Sequence, residues 1–147
     1  FPGIVALGTA CALAQKEMKQ NAESILSLRN YLETELLKVD GTTVNGNIET
    51  RLYNTSNILF NGVDSDAVIL GLSIPENDLP LIAISNGSAC TSASVEPSHV
   101  LIAMGLDETA AFSSIRFSIG KFNTKKEIDV VIDAVKNVVS GLRAMVN

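Results

Sequence analysis

Apolar side chains recur every three or four positions along the first forty residues. The series runs Leu7, Cys11, Ala14, Met18, Ala22, Ile25, Leu28, Leu32 and Leu36. This spacing places all of them on one face of an α-helix. We therefore predict a long helix that starts near Ile4 and stops at the Asp40-Gly41 turn signal, with Cys11 buried in the core as a small apolar side chain.

The middle of the chain carries short runs of β-branched and aromatic residues. The segments "TTVNGN" and "TSNILFNGV" are bounded by Asn-Gly pairs and predict two short strands. Asp64 or Ser65 can then cap a short helix through Leu72. The apolar run "LIAIS" predicts a third, fully buried strand, and "PSHVLIAMG" predicts a short helix that starts at Ser94 or Pro97.

The last third of the chain combines a strand pattern with a helix start. Apolar and polar positions alternate in "SSIRFSIG", which predicts a strand with one face towards the core. Thr124 and Glu127 form a Thr-x-x-Glu capping box ahead of apolar residues at helical spacing, which predicts a final long helix. We expect one α+β domain over residues 1–147, with a small mixed or antiparallel sheet covered on one side by helices and with long helices at both ends.

Composition narrows the functional classes. Hydrophobic residues make up 46% of the 147 positions, the net charge is −5, and the eleven Lys and Arg residues are scattered along the chain. This pattern argues against direct binding to nucleic acid. The sequence has neither an apolar run of membrane-spanning length nor a metal-ligand spacing, so we expect a cytoplasmic protein without a metal site.

The chain begins at Phe1 without an initiator Met, and we expect it to be part of a longer protein.

Cys90 is the first candidate for chemistry. It lies in "SNGSACTSASVEP", where small side chains offer little burial to offset the entropy lost on ordering. We expect the segment from Asn86 to Glu96 to be mobile, and a mobile thiol suits a carrier that collects a group in one pocket and delivers it elsewhere. The alternative is an ordinary loop cysteine without a chemical role.

His99 and Arg116 are the other candidates. His99 follows Cys90 by nine residues, but a helix start and a loop separate the two, so we favour a helix-surface histidine over a catalytic base. Arg116 lies in mid-strand between two serines. An exposed strand arginine is common, yet a planar guanidinium can also grip a carboxylate through two hydrogen bonds. A mobile thiol and a carboxylate clamp are together compatible with an amino-acid substrate.

Two stretches are similar to a known family. The residues "GSACTSASVEPSHVL", followed by "GLDETAAFSSIRFSIGKFNTKKEID", closely resemble the C-terminal part of the pyridoxal-phosphate-dependent cysteine desulfurases, in the branch with a long catalytic loop. The opening "FPGIVALGTA" resembles the segment where that family enters its small domain, so the likeness covers essentially the whole chain. The resemblance implies the small domain of a fold-type-I pyridoxal-phosphate enzyme.

This resemblance carries functional expectations. In that family L-cysteine is converted to L-alanine, and its sulfur passes to a loop thiol as a persulfide for a sulfur-acceptor protein. The resemblance implies that Cys90 is this nucleophile and that Arg116 binds the substrate carboxylate. It also implies a preceding large domain with the Schiff-base lysine and pyridoxal phosphate, so no cofactor contact is assigned to this chain, and a homodimer when full length. Fe–S cluster assembly, tRNA thiolation and DNA sulfur modification all stay open as the acceptor pathway.

Two other hypotheses stay open from the sequence. One is a free-standing, non-catalytic domain that binds a partner, which the length of the native gene product would distinguish from a desulfurase fragment. The other is a thiol hydrolase built on Cys90 and His99. An ester-hydrolysis activity that disappears on changing His99 would support it.

Overall fold

Long helices at both ends of the chain pack on one face of a small sheet. The computed structural model describes residues 1–73, 82–86 and 96–146. Within these ranges the elements are α1 Pro2–Leu36, β1 Thr42–Val44, β2 Thr55–Phe60, α2 Ser65–Ser73, α3 His99–Ala103, α4 Glu108–Phe112, β3 Ser114–Ser118 and α5 Lys125–Val146. The long terminal helices and the two strands before α2 confirm the expectations from the sequence.

The three strands form an antiparallel sheet in the order β1-β2-β3. Thr42 pairs with Phe60 at one edge of β2, and Thr55 pairs with Ser118 at the other edge. The combination of this sheet with five helices confirms the α+β class. Of the two sheet types expected, the described strands show the antiparallel one.

One face of the sheet packs against the long helices. Phe60 and Phe117 meet edge to face there, with ring centroids 6.4 Å apart. The buried apolar cluster around them combines residues of α1, α2 and α5, among them Ile25, Leu32, Leu36, Val68, Leu72, Ile132, Val135 and Val139. The alternation of "SSIRFSIG" therefore correctly predicts that Ile115, Phe117 and Ile119 face the core.

Side-chain caps fix the starts of three helices. Thr124 and Glu127 bond reciprocally at α5, with Thr124 N–H donating to Glu127 Oε2 at 2.7 Å and Glu127 N–H donating to Thr124 Oγ1 at 3.3 Å. Asp64 Oδ1 accepts from Asp66 N–H at 2.8 Å and so caps α2 as predicted. Asp107 caps α4 through a 2.7 Å bond from Ala110 N–H, a helix that the sequence analysis missed because five residues show no periodicity.

The expectation that Cys11 is buried is wrong. Residues 1–16 are exposed throughout, and the Cys11 thiol is free and exposed with them. Only the second half of the predicted apolar stripe packs, through Ile25, Leu32 and Leu36. Helical spacing assigns residues to one face of a helix, but it does not say how much of that face meets another element.

The predicted strand "LIAIS" is also wrong where it is described. Residues 82–84 have no regular structure, and Ser85 forms a single antiparallel bridge with Arg116. Ile82 is buried, whereas Ala83 is exposed, so the run is not fully buried. A short apolar run does not by itself distinguish a strand from an irregular buried segment.

The described part of the chain contains no helix long and apolar enough to cross a membrane.

Candidate functional site

A cavity of about 280 Å³ lies on the second face of the sheet, opposite the long helices. Its polar wall comes from the sheet and the turn after β1, and its apolar wall comes from α3. The side chains that matter for chemistry are Asn45, Arg51, Asn57, Ser98 and Arg116. Two guanidinium groups and no carboxylate line this space, so its chemistry favours an acidic ligand group.

The backbone of Arg116 is hydrogen-bonded to Ser85. Its N–H donates to the Ser85 carbonyl at 2.6 Å, and its carbonyl accepts from Ser85 N–H at 3.3 Å. Its side chain is exposed on the cavity face of β3. Among the side chains of residues 1–73, 82–86 and 96–146, none forms a hydrogen bond or ion pair with this guanidinium. The five donors of the guanidinium are thus unpaired among the described side chains, on a backbone that the strand pairing holds in place.

A chain of polar side chains crosses the sheet beside Arg116. The Ser114 hydroxyl donates to the Ala110 carbonyl at 2.7 Å. Asn45 Nδ2 donates to Ser114 Oγ at 2.9 Å and to Asn57 Oδ1 at 2.6 Å. Asn57 is the cross-strand partner of Arg116. Sequence reasoning missed this set, because Asn45 and Ser114 stand 69 positions apart and share no motif.

A buried charge cluster adjoins the cavity. The Arg51 guanidinium donates to both oxygens of Glu33, at 2.6 and 2.7 Å, in a two-point pair. Arg29 lies beside them, is 5% exposed, and donates weakly to the Leu52 carbonyl at 3.4 Å. The cluster therefore holds two positive charges and one negative charge.

Burial and charge act on the pKa values of this cluster. Burial alone raises the pKa of the Glu33 carboxyl, but the hydrogen bonds and charge of Arg51, with the charge of Arg29, outweigh it and leave the pKa below its usual value. Burial lowers the pKa of the Arg29 guanidinium, and Arg51 lowers it further. The sequence does contain one indication of this cluster. Arg29 and Glu33 are charged residues four positions apart on the apolar side of α1, where a charged side chain needs a buried partner.

Of the two residues Cys90 and His99, the structure describes only His99. Cys90 lies outside the described residues, as does most of the Asn86–Glu96 segment expected to be mobile. His99 is exposed at the first position of α3, as expected of a helix-surface histidine. No group of three or more metal-binding side chains is found in the part of the chain that the structure describes.

The seven lysines lie away from the cavity. All seven lie in the described residues, and six of them are exposed. The partly buried one, Lys136, is ion-paired with Glu35 at 3.5 Å. Lys121 and Lys125 are likewise paired with Glu17 and Asp129. None lines the cavity next to Arg116.

Known proteins are similar to this chain in sequence. The family described as aminotransferase class-V matches residues 1–131. The chain is 43% identical over 142 residues to the cysteine desulfurase IscS of Shewanella pealeana, and 42% identical over 142 residues to that of Pasteurella multocida. Each alignment covers 97% of this chain and 33% of the relative. The chain therefore spans about a third of the length of the curated relatives it matches.

Solved structures agree with the sequence relatives. A NifS-like protein from Rickettsia africae superposes with a TM-score of 0.75 at 32% identity, over 90% of this chain and 33% of that one. A second NifS-like protein gives a TM-score of 0.78 at 28% identity, over 95% and 34% of the two chains. The architecture described above is thus shared with these proteins.

Proposed function

Because this chain belongs to the class-V aminotransferase family, we propose that it is part of a cysteine desulfurase, like the relatives named above. In this proposal the full-length enzyme converts L-cysteine to L-alanine. Arg116 binds the substrate carboxylate, and Cys90 receives the substrate sulfur as a persulfide. An acceptor protein then takes the sulfur from Cys90.

The observation that carries this proposal is the guanidinium of Arg116. It projects into the cavity without a partner among the described side chains, and its backbone is fixed on both edges of β3. A planar fork in this state can bind the two oxygens of a carboxylate at once. An arginine kept for stability would be expected to pair with a neighbouring acid, as Arg51 does with Glu33.

The position of Cys90 in the sequence is compatible with its assigned role. Ser85, which pairs with Arg116, precedes Cys90 by five residues. A chain spans at most about 3.6 Å per residue, so Cys90 is tethered within roughly 18 Å of Ser85. A thiol on such a tether can reach a substrate whose carboxylate is held at Arg116.

We assign pyridoxal phosphate to the full-length enzyme and none of its contacts to this chain. The exposed and ion-paired lysines support this division. The large domain that precedes this chain, a homodimeric state, a cytoplasmic location and a role in Fe–S cluster assembly belong to the same proposal. This chain by itself is then expected to be inactive.

The test of the proposal is Cys90→Ala in the full-length protein. We expect the variant to bind L-cysteine normally and to release no alanine, because the thiol acts only after the substrate is bound. Cys11→Ala is the matched control, since it removes the other, exposed thiol, and it should release alanine at the normal rate. Release of alanine by Cys90→Ala at the normal rate would refute the desulfurase assignment.

A further inference from the structure

Asn57 faces the same cavity as Arg116. We propose that the side-chain amide of Asn57 is a second group that positions the substrate carboxylate, through a hydrogen bond to one of the oxygens held by Arg116. This inference rests on the proposed function, because it deepens the role given to Arg116. It makes Asn57 a specificity-determining residue for ligands that carry a carboxylate.

The orientation of the Asn57 amide follows from a chain of hydrogen bonds that begins at an obligate acceptor. The Ala110 carbonyl can only accept a hydrogen bond, so the Ser114 hydroxyl donates its single hydrogen to it. Ser114 Oγ must then accept from the neighbouring amide, which fixes the Nδ2 end of Asn45 towards it.

The other N–H of Asn45 continues the chain to Asn57. It donates to Asn57 Oδ1 at 2.6 Å, so this oxygen is occupied by Asn45. The Nδ2 group is therefore the donor end of the Asn57 amide that is left for a ligand in the cavity that Asn57 and Arg116 both line. Among the described residues, no hydrogen-bond acceptor for this Nδ2 is found.

The backbone brings the two side chains close together. Both the N–H and the carbonyl of Arg116 bond to Ser85, and the Asn57 carbonyl accepts from Asn45 N–H at 2.8 Å. Asn57 and Arg116 are therefore a non-hydrogen-bonded cross-strand pair. In such pairs the Cα atoms stand about 4.5 Å apart and the side chains are at their closest.

Asn57 and Arg116 thus present donor groups to the same cavity, and no side chain among the described residues supplies an acceptor to either. Arg116 cannot accept a hydrogen bond, and the exposed end of Asn57 only donates. A carboxylate has about four lone-pair sites on two oxygens, which is enough for the guanidinium fork and a third donor. A ligand without a carboxylate offers nothing to these donors, so the pair should discriminate L-cysteine from cysteamine, its analogue that lacks the carboxylate.

The experiment uses the full-length protein that contains this chain, in a Cys90→Ala background that prevents turnover. Affinities for L-cysteine and for cysteamine are measured for Asn57→Leu, which keeps the size of the side chain and removes the donors. We expect the affinity for L-cysteine to fall about tenfold and that for cysteamine to change less than about twofold. Ser118→Ala, on the same face of β3, is the control and should leave both affinities unchanged.

A second variant keeps the test decisive if Asn57→Leu does not fold. Asn57→Asp keeps the shape of the side chain but places a carboxylate beside Arg116. This carboxylate competes with the substrate for the guanidinium and repels the substrate carboxylate. We expect it to lose at least as much affinity for L-cysteine as the leucine variant, again with little change for cysteamine. Unchanged L-cysteine affinity in the folded variants, or an equal loss for both ligands, would overturn the role of Asn57.

Arg116→Lys in the same background separates the two levels of the proposal. If Arg116→Lys weakens L-cysteine binding and the Asn57 variants do not, only the assignment of Asn57 fails. If Arg116→Lys leaves L-cysteine affinity unchanged, the carboxylate site itself fails, and the role of Asn57 fails with it.

Discussion

Glu33 of α1 and Arg51 of the β1–β2 connection meet in a two-point ion pair, with Nη1 to Oε1 at 2.6 Å and Nη2 to Oε2 at 2.7 Å. Both side chains are largely buried, with exposed fractions of 10% and 17%. The pair joins the long first helix to the turn that supplies one wall of the cavity. It therefore couples the stability of the fold to the shape of the candidate site.

Removal of the Glu33 charge should strongly destabilise the domain. Glu33→Gln leaves the guanidinium groups of Arg29 and Arg51 close together with no buried counter-charge. Breaking a buried pair in this way costs about 3–5 kcal/mol, and because the pair keeps some exposure, the expected loss is at the lower end, about 3 kcal/mol. Urea unfolding followed by circular dichroism measures it. Glu23→Gln, an exposed change on the same helix, is the control and should have little effect.

The same pair should make the stability depend on pH. Since the pKa of Glu33 is lower in the folded chain than in the unfolded one, its contribution is present above the unfolded pKa and is lost as pH falls through the folded value. Stability should therefore decline below about pH 4.5 more steeply in the wild type than in Glu33→Gln. Unfolding free energies at several acidic pH values give this comparison. Parallel curves for the two proteins would contradict the prediction.

Gly71 is a site where a single methyl group should not fit. A Cβ at this position would lie 2.9 Å from Val138 Cγ1 and 3.3 Å from Val138 Cγ2, where α2 packs against α5. We expect Gly71→Ala to destabilise the domain by about 1–3 kcal/mol, despite the better helix propensity of alanine.

Gly141 offers a matched control for this change. It also lies inside a helix, α5, but a Cβ there would meet nothing within 4 Å. Gly141→Ala should therefore stabilise the domain by about 0.5–1 kcal/mol. Thermal unfolding of both variants tests the contrast, and Gly71→Ala with Val138→Ala should recover part of the loss. A Gly71→Ala variant as stable as the wild type would show that α2 and α5 pack more loosely than described.

Arg116→Lys separates charge from geometry in the proposed site. Lysine keeps the positive charge but loses the planar fork, so L-cysteine affinity in the full-length protein should fall by about 1.5–3 kcal/mol, or roughly ten- to a hundredfold. Isothermal titration in a Cys90→Ala background measures this loss. Lys121→Arg, outside the cavity, is the control for exchange of the two cations.

The sequence predicted those features whose signals lie within a few residues of one another. The capping box of Thr124 and Glu127, the alternation along β3 and the caps near Asp64 are all of this kind. It could not predict contacts between distant segments. Glu33 and Arg51 are 18 positions apart, and Asn45 and Ser114 are 69 apart, so only the fold brings them together.

The two wrong predictions have a related cause. The spacing around Cys11 and the apolar run at Ile82 each indicate that a face prefers to be buried. Neither pattern says which surface covers that face or whether a strand ladder forms. Packing partners and backbone pairing are properties of the whole chain, and they override local preference.

The exposed first half of α1 has a consequence for how the polypeptide behaves in solution. The first fifteen residues carry no charged side chain, and Phe1, Ile4, Val5 and Leu7 are each more than 60% exposed. A continuous apolar surface of this kind promotes association between molecules. Light scattering on the purified 147-residue polypeptide should therefore show an apparent mass that rises with concentration, and mild detergent should reverse the rise.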